Sequence, residues 1–136
     1  MQIEAGTSIP PFAIERVDAE KMKTMAALLR DPNPIHFDVE AVRALGMGDR
    51  VINQGPNNVG YVLNMLLAWL GDPAGIRSVQ VRFRGNVFAG DRLEAGGTVT
   101  ALEERDGQRV ATCEVWLDRD DGARVLSGTA EVAVAR

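Results

Sequence analysis

The chain has 136 residues, of which 46% are hydrophobic and 25% are charged. This length and this balance predict one globular domain over residues 1–136 and exclude disorder for most of the chain. Nineteen acidic residues outnumber fifteen Lys and Arg, which gives a net charge of −4. Nucleic acid is therefore not expected as a partner, because phosphate contacts need a basic face.

The residues present also argue against several kinds of site and location. The single cysteine, Cys113, cannot form an internal disulfide, and the single histidine, His36, leaves too few ligands for a zinc site. The first four residues carry an acid where a signal peptide would carry positive charge, and no apolar stretch is long enough to span a bilayer. We therefore expect a cytoplasmic protein without a metal ion and without membrane association.

The first half of the chain has a helical pattern after a short opening strand. Apolar and polar residues alternate over residues 12–17, which predicts that strand. Asp18 is placed to cap a helix over residues 19–29, and Pro32 and Pro34 would end it. A second, short helix is predicted from Asp38, a good N-cap residue, to Leu45.

The next predicted helix is almost entirely apolar. It starts at residue 57 or 58 and ends at Leu70, where Gly71 follows. Only Gly60 and Asn64 interrupt its apolar surface. Because a helix that is apolar nearly all round is buried on most of its sides, we interpret this one as a core helix.

The second half changes to the two-residue period of β-strands. Apolar side chains alternate with polar ones in four runs, near residues 78–84, 93–101, 111–117 and 126–134. Asp106-Gly107 and Asp121-Gly122 separate the last three runs, and tight hairpin turns prefer these dipeptides. The pattern predicts an antiparallel meander whose apolar face is covered by the apolar helix. This α+β arrangement, a sheet wrapped around one long central helix, is a hot-dog fold.

One segment concentrates the polar groups that could do chemistry. Asp31-Pro32-Asn33-Pro34-Ile35-His36 places a carboxylate, a carboxamide and the only imidazole within six residues. We expect the two prolines to hold it extended, so that its side chains face solvent, a pocket or a partner. The residues alone leave two interpretations open. Asp31 and Asn33 are turn residues of a polar connection, or Asp31 and His36 form a general acid–base pair.

A family resemblance begins in the same segment. Leu29-Arg30-Asp31-Pro32-Asn33-Pro34-Ile35-His36 resembles the signature Ser-Gly-Asp-x-Asn-Pro-Ile/Leu-His of the MaoC-like, R-specific enoyl-CoA hydratases. Val51-Ile52-Asn53-Gln54-Gly55 resembles the family segment that leads into the central helix. Residues 81–91 resemble its Phe-x-x-Pro-Val-x-x-Gly-Asp strand, with Asn86 in place of proline. The three motifs occur in family order, and the similarity spans residues 13–134.

Two departures from the family pattern affect the predicted site. Leu29-Arg30 replaces Ser-Gly, which predicts a different pocket wall or angle of access. Pro56-Asn57-Asn58 is more polar than the usual Gly-Met-Leu, which indicates an unusual acyl group and makes Asn57 a candidate substrate contact. With residues 70–74, this stretch is similar to small MaoC-like subunits linked to actinobacterial steroid side-chain breakdown. Some of those subunits lack the Asp/His pair, whereas this chain keeps it, so we expect it to be catalytic itself.

The resemblance implies reversible hydration of a trans-2-enoyl thioester to an R-3-hydroxyacyl thioester, carried on CoA or acyl carrier protein, with no cofactor. It implies that Asp31 and His36 hold a water between them and move its protons, and that Asn33 orients the loop or the catalytic groups. The backbone N–H of Gly55, at the positive end of the central helix, is the expected donor to the thioester oxygen.

The resemblance also directs attention to carrier binding and assembly. Arg82 and Arg84 lie on the strand face opposite Val81 and Phe83 and are candidates for binding the carrier's phosphates, with a solvated strand face as the equal alternative. An exposed sheet edge and a long buried helix in a small domain predict a homodimer or higher homo-oligomer, or a heteromer with another MaoC-like chain.

Two other functions remain as alternatives. The first is a non-catalytic or partner-dependent subunit of a heteromeric MaoC-like hydratase, which co-purification with a larger MaoC-like chain would favour. The second is a hot-dog acyl-CoA thioesterase, which would use an acid on or near the central helix. No Asp or Glu lies between Asn57 and Leu70, which argues against a thioesterase.

Overall fold

The computed structural model describes residues 2–135 and places three helices ahead of four of the five strands. The helices are α1 (Ala19–Leu29), α2 (Val39–Ala44) and α3 (Gly55–Leu70). The strands are β1 (Ser8–Ile14), β2 (Ile76–Phe83), β3 (Leu93–Arg105), β4 (Gln108–Arg119) and β5 (Arg124–Val134). Single turns of 3₁₀ helix occur at Pro34–His36 and Pro73–Gly75. Within the described range, no helix combines the length and the apolar character needed to cross a membrane.

The five strands form one antiparallel sheet in the order β1-β3-β4-β5-β2. The predicted meander is β3-β4-β5. Asp106 and Gly107 make its first turn with φ of 51° and 78°, as a two-residue hairpin turn requires. The connection from β4 to β5 is longer and spans residues 120–123. The sheet wraps around α3, which contacts β1, β2, β3 and β4, so the hot-dog fold is confirmed.

The hydrophobic core lies between α3 and the inner face of the sheet. Val62, Met65 and Leu66 of α3 are buried against alternate side chains of the three meander strands. Those side chains are Leu93, Ala95 and Val99 in β3, Ala111, Cys113, Val115 and Leu117 in β4, and Leu126, Ala130 and Val132 in β5. Burial raises the pKa of the Cys113 thiol to about 11. Cys113 is 0% exposed, which confirms the prediction that this cysteine is buried.

The opening strand lies earlier than predicted, over Ser8–Ile14 rather than residues 12–17. Its pairing with β3 shifts between Ile9 and Phe12, because Pro10 and Pro11 lack the N–H groups that the ladder needs. In the sequence, apolar and polar residues alternate only after this irregularity. The pattern therefore predicted only the second part of β1.

The central helix differs from its prediction in two respects. It starts at Gly55 rather than at residue 57 or 58, because Pro56 suits the first turn, where a missing N–H costs no hydrogen bond. It is also not buried on most sides, since Asn64, Leu67 and Ala68 are exposed. A single sheet covers only one side of a helix, and the apolar composition did not reveal which side stays open.

Candidate active site

The connection between α1 and α2 folds into a turn rather than the extended segment predicted. Pro34–His36 is one turn of 3₁₀ helix, and Pro34 occupies its first position, where proline is well tolerated. Asn33 Oδ1 accepts a hydrogen bond from the Ile35 N–H at 3.3 Å, and Asp31 Oδ1 accepts one from the Asn33 N–H at 3.0 Å. Asp31 and Asn33 are thus turn residues, and the same turn brings Asp31 to His36.

Arg30 connects this turn to the end of α1. It has φ of 52° and caps the helix, and the N–H groups of Arg30 and Asp31 both donate to the Ala26 carbonyl. Glycine adopts this left-handed conformation without strain, and glycine is the residue that the resembled signature has here. The replacement of Ser-Gly by Leu29-Arg30 therefore adds backbone strain and two exposed side chains at the turn.

Asp31 and His36 form a close pair. His36 Nε2 lies 3.3 Å from Asp31 Oδ2. On the other side of the ring, Nδ1 lies 2.6 Å from the Ile52 carbonyl oxygen, and because a carbonyl can only accept, Nδ1 donates. This bond fixes the ring and places the Nε2 lone pair of a neutral imidazole toward Asp31. His36 is 8% exposed, whereas the Asp31 side chain is 32% exposed, so the pair is accessible from the carboxylate side.

The separation of 3.3 Å decides how the pair can hold a water. A lone pair and a carboxylate oxygen repel unless a proton lies between them or a donor bridges them. Two hydrogen bonds of ordinary length, about 2.8 Å each, do not fit in line within this distance. A water held by both atoms must therefore lie beside Asp31 and His36, on the accessible side, rather than between them as expected.

The N-terminus of α3 supplies a hydrogen-bond donor three residues after Ile52, whose carbonyl holds the His36 ring. The Gly55 N–H has no hydrogen-bond partner among residues 2–135, and the side chain of the N-cap residue Gln54 makes no capping bond. The ring of Phe83 packs on Gly55, since an added Cβ would lie 3.0 Å from Phe83 Cζ. Ile52, which holds the His36 ring, lies three residues before Gly55. The Ile52 carbonyl thus links the His36 ring to the chain segment that leads to the free Gly55 N–H, which lies at the positive end of the helix dipole.

Four carboxamides form a cluster at the start of α3, and we call Asn53, Gln54, Asn57 and Asn58 the carboxamide cluster. Asn57 Nδ2 donates to Asn53 Oδ1 at 3.0 Å and to Gln54 Oε1 at 3.1 Å. Asn53 Nδ2 donates to Asn58 Oδ1 at 2.9 Å, and Gln54 Nε2 donates to the Met22 carbonyl at 2.8 Å. The sequence prediction included only Asn57, although four amide side chains within six residues were a visible signal.

Arg82 and Arg84 lie apart from the Asp31–His36 pair. Both line a groove of about 600 Å³ on the outer face of the sheet. Arg84 Nε donates to Ser127 Oγ at 2.6 Å, and Arg82 has no polar partner within the described part of the chain. Phe83, between them, points to the other face and contacts Gly55. The alternation predicted these faces correctly, and within residues 2–135 no hydrogen bond or ion pair joins either arginine to Asp31 or His36.

Known proteins resemble this chain over most of its length. The family model described as MaoC like domain matches residues 7–118. A UPF0336 protein of Leifsonia xyli subsp. xyli is 34% identical over 142 residues, covering 95% of this chain and 91% of its own length. The (R)-hydratase from A. caviae involved in PHA biosynthesis has a TM-score of 0.85 at 26% identity, with 98% of both chains covered. The ChsH1-ChsH2 complex from Mycobacterium tuberculosis contains a chain with a TM-score of 0.82 at 24% identity, covering 98% of this chain and 100% of that one, a likeness of fold alone.

Proposed function

The chain belongs to the MaoC-like dehydratase family, and on this premise we propose that it reversibly hydrates a trans-2-enoyl thioester to an (R)-3-hydroxyacyl thioester. The observation that carries the proposal is the Asp31–His36 pair, with 3.3 Å between Nε2 and Oδ2 and with Nδ1 fixed on the Ile52 carbonyl. The similarity to the (R)-hydratase from A. caviae supports the reaction class and the configuration of the product.

In this mechanism the pair moves both protons of the addition. The water beside Asp31 and His36 gives one proton to the pair while its oxygen forms a bond to C3. The pair delivers one proton to C2, so the double bond becomes a single bond and the pair returns to its starting protonation state. General acid–base catalysis of this kind contributes about 10²–10⁴-fold to the rate.

The Gly55 N–H stabilises the negative charge that grows on the thioester oxygen. It is free of protein partners within the described range and lies at the positive end of α3. Losing such a donor costs about 10²–10³ in rate. Asn33 holds the turn that carries the pair. Asn57 contacts the substrate through its Oδ1, because its bonds within the carboxamide cluster use only Nδ2.

The carrier, CoA or acyl carrier protein, reaches the outer face of the sheet around the end of β2. Phe83 is the last residue of that strand, is 56% exposed and lies on Gly55. A pantetheine arm that starts at Gly55 can pass over this ring and place its phosphates at Arg82 and Arg84. Guanidinium groups suit this task because they bind phosphate through two parallel hydrogen bonds.

We also propose that two copies of the chain form a homodimer through β2. This strand lies at one edge of the sheet, and its outer side pairs with no other strand in the described range. The opposite edge, β1, contains Pro10 and Pro11, which cannot donate to a partner strand. Light scattering should give twice the mass of the chain, and a single species at the mass of one chain would contradict the dimer.

The reaction is tested by following the loss of enoyl absorbance with crotonyl-CoA, a medium-chain enoyl-CoA and a steroid enoyl-CoA, with chiral analysis of the product. We expect an R-3-hydroxyacyl product. Asp31→Asn and His36→Ala should each lower kcat by about 10²–10⁴-fold with Tm close to that of the wild type. Asp49→Asn changes an exposed carboxylate outside the site and should retain full activity. Substantial turnover by either site variant would refute the assigned chemistry.

A further inference from the structure

We propose that Asn53 is a positioning residue that holds the Gly55 N–H at a fixed separation from the Asp31–His36 pair. The inference rests on the proposed function and adds to it a residue that touches neither the substrate nor the pair. Three groups of contacts carry it: those of the backbone at residues 52 and 53, those of the Asn53 side chain, and those of the Gln54 side chain.

The backbone just before α3 is hydrogen-bonded on both of its sides. The Ile52 N–H donates to the Ile35 carbonyl at 2.9 Å, and the Ile52 carbonyl accepts from His36 Nδ1 at 2.6 Å. On the opposite side, the Asn53 N–H donates to the Val87 carbonyl at 2.7 Å. Residues 52 and 53 are therefore fixed to the turn that carries His36 and to the segment that follows β2.

The side chain of Asn53 fixes this backbone to the first two turns of α3. Its Oδ1 accepts from Asn57, and its Nδ2 donates to Asn58 at 2.9 Å and to the Tyr61 hydroxyl at 3.4 Å. Asn53 and Asn58 are 4% and 3% exposed, so water cannot replace these bonds without moving the helix. Burial raises the pKa of Tyr61, while the Asn53 hydrogen bond acts to lower it. Removing the Asn53 amide would leave buried polar groups unpaired at the helix start.

Because Asn53 holds α3 from its side, the N-terminal end of the helix stays open to a substrate. An N-cap side chain ordinarily places an acceptor oxygen over the N–H groups of the first helical turn. Gln54 is the N-cap residue but makes no such bond, and its Nε2 donates instead to the Met22 carbonyl. Asn53 thus stabilises the start of the helix without an acceptor oxygen where the thioester oxygen would bind.

The reaction rate should be sensitive to the separation between the Gly55 N–H and the Asp31–His36 pair. A catalytic group has to be held within about 0.5 Å of its productive position, and a misplacement of about 1 Å can cost 10²-fold in rate. We therefore expect Asn53→Ala to lower kcat by about 10–100-fold. Binding of the ground state should change little, because Asn57 keeps its hydrogen bond to Gln54 Oε1 and the other binding contacts are to the acyl chain and the carrier rather than to the charge of the transition state.

The experiment compares Asn53→Ala and Asn58→Ala with the matched control Asn64→Ala, which removes an exposed amide from the same helix. The value of kcat is measured for the enoyl-CoA that the wild type hydrates fastest, with each protein well below its own Tm. Calorimetry gives the Kd of the saturated acyl-CoA of the same chain length. We expect Asn53→Ala to lose kcat with a nearly unchanged Kd, Asn58→Ala to lose less, and the control to match the wild type.

The outcomes separate this inference from the function on which it rests. No hydration by the wild type would overturn both. If the wild type hydrates the substrate, two results for Asn53→Ala would overturn the positioning role alone. One is an unchanged kcat, and the other is a loss of kcat with a parallel loss of affinity. If Asn53→Ala does not fold, Asn58→Ala decides by the same comparison of kcat with Kd, since it removes one contact and leaves Asn53 in place.

Discussion

The packing of Phe83 on Gly55 can be tested by adding one methyl group. In Gly55→Ala the new Cβ would lie 3.0 Å from Cζ and 3.2 Å from Cε1 of Phe83, whereas carbon atoms attract each other best at about 3.5–4.0 Å. The ring must therefore give way by a few tenths of an ångström. Because Phe83 is the last residue of β2 and is 56% exposed, its ring can move aside. The cost in unfolding free energy should stay at the low end of overpacking, about 1 kcal/mol.

This cost is partly offset by the preference of alanine over glycine in a helix, which is about 0.5–1 kcal/mol in a helix interior. The net change should shift Tm by no more than about 3–5 °C for a chain of this size. Activity should respond far more strongly, because the methyl group and the displaced ring crowd the N–H that the thioester oxygen has to reach. Because the N–H itself remains and only its access changes, we expect kcat to fall by about 10–100-fold.

A double-mutant cycle of Gly55→Ala and Phe83→Ala, measured by thermal unfolding and by kcat, separates the two effects. With the ring removed, the methyl group meets no clash, so the unfolding free energies should deviate from additivity by about 0.5–1 kcal/mol. Gly60→Ala is the matched control, since its Cβ would meet no atom within 4 Å. Free energies that add to within about 0.3 kcal/mol would refute the packing, and wild-type kcat in Gly55→Ala would show that the added methyl group does not crowd the Gly55 N–H.

Two further predictions concern stability. Arg30→Gly should raise the unfolding free energy, measured by urea denaturation, by about 0.5–1 kcal/mol. The left-handed φ of 52° costs an L-residue about 1–2 kcal/mol, and the greater freedom of glycine in the unfolded chain offsets part of this gain. An unfolding free energy below that of the wild type would contradict the strain at Arg30. The pKa of about 11 for buried Cys113 lies above the unfolded value of about 8.5. The unfolding free energy of the wild type, relative to that of Cys113→Ala, should therefore be constant below about pH 8.5 and should fall as the pH rises toward 11. If the unfolding free energies of the two proteins changed equally with pH, this would count against burial of the thiol.

Those parts of the fold that depend on local pattern were predictable from the sequence. Alternation identified β3, β4 and β5, and Asp106-Gly107 identified a turn, because strand faces and tight turns are determined by neighbouring residues. The start of α3 was placed too late, since composition alone did not show that Pro56 belongs to the first helical turn. The start of β1 was missed because Pro10 and Pro11 interrupt its pairing with β3.

The candidate site was predictable in part. The motif identified Asp31 and His36, and the structure adds their distance and the turn that joins them. The carbonyl of Ile52, which holds the His36 ring, carries no sequence signal because every residue has a carbonyl. The contacts of Asn53 were likewise hidden, since they require the helix, the loop and the segment after β2 to meet in three dimensions.

The proline pair in β1 limits how many copies of the chain can join strand to strand. A sheet with two regular edges can add a strand at each end and so grow into an open-ended polymer. In this sheet, the shift around Pro10 and Pro11 leaves β1 without a continuous row of donors, and only β2 presents one. In the proposed homodimer, two copies that meet at β2 about a twofold axis use the β2 edge of each, so growth would stop at two. The same two residues that obscured the first strand in the sequence thus make β1 a poor edge for adding a further strand.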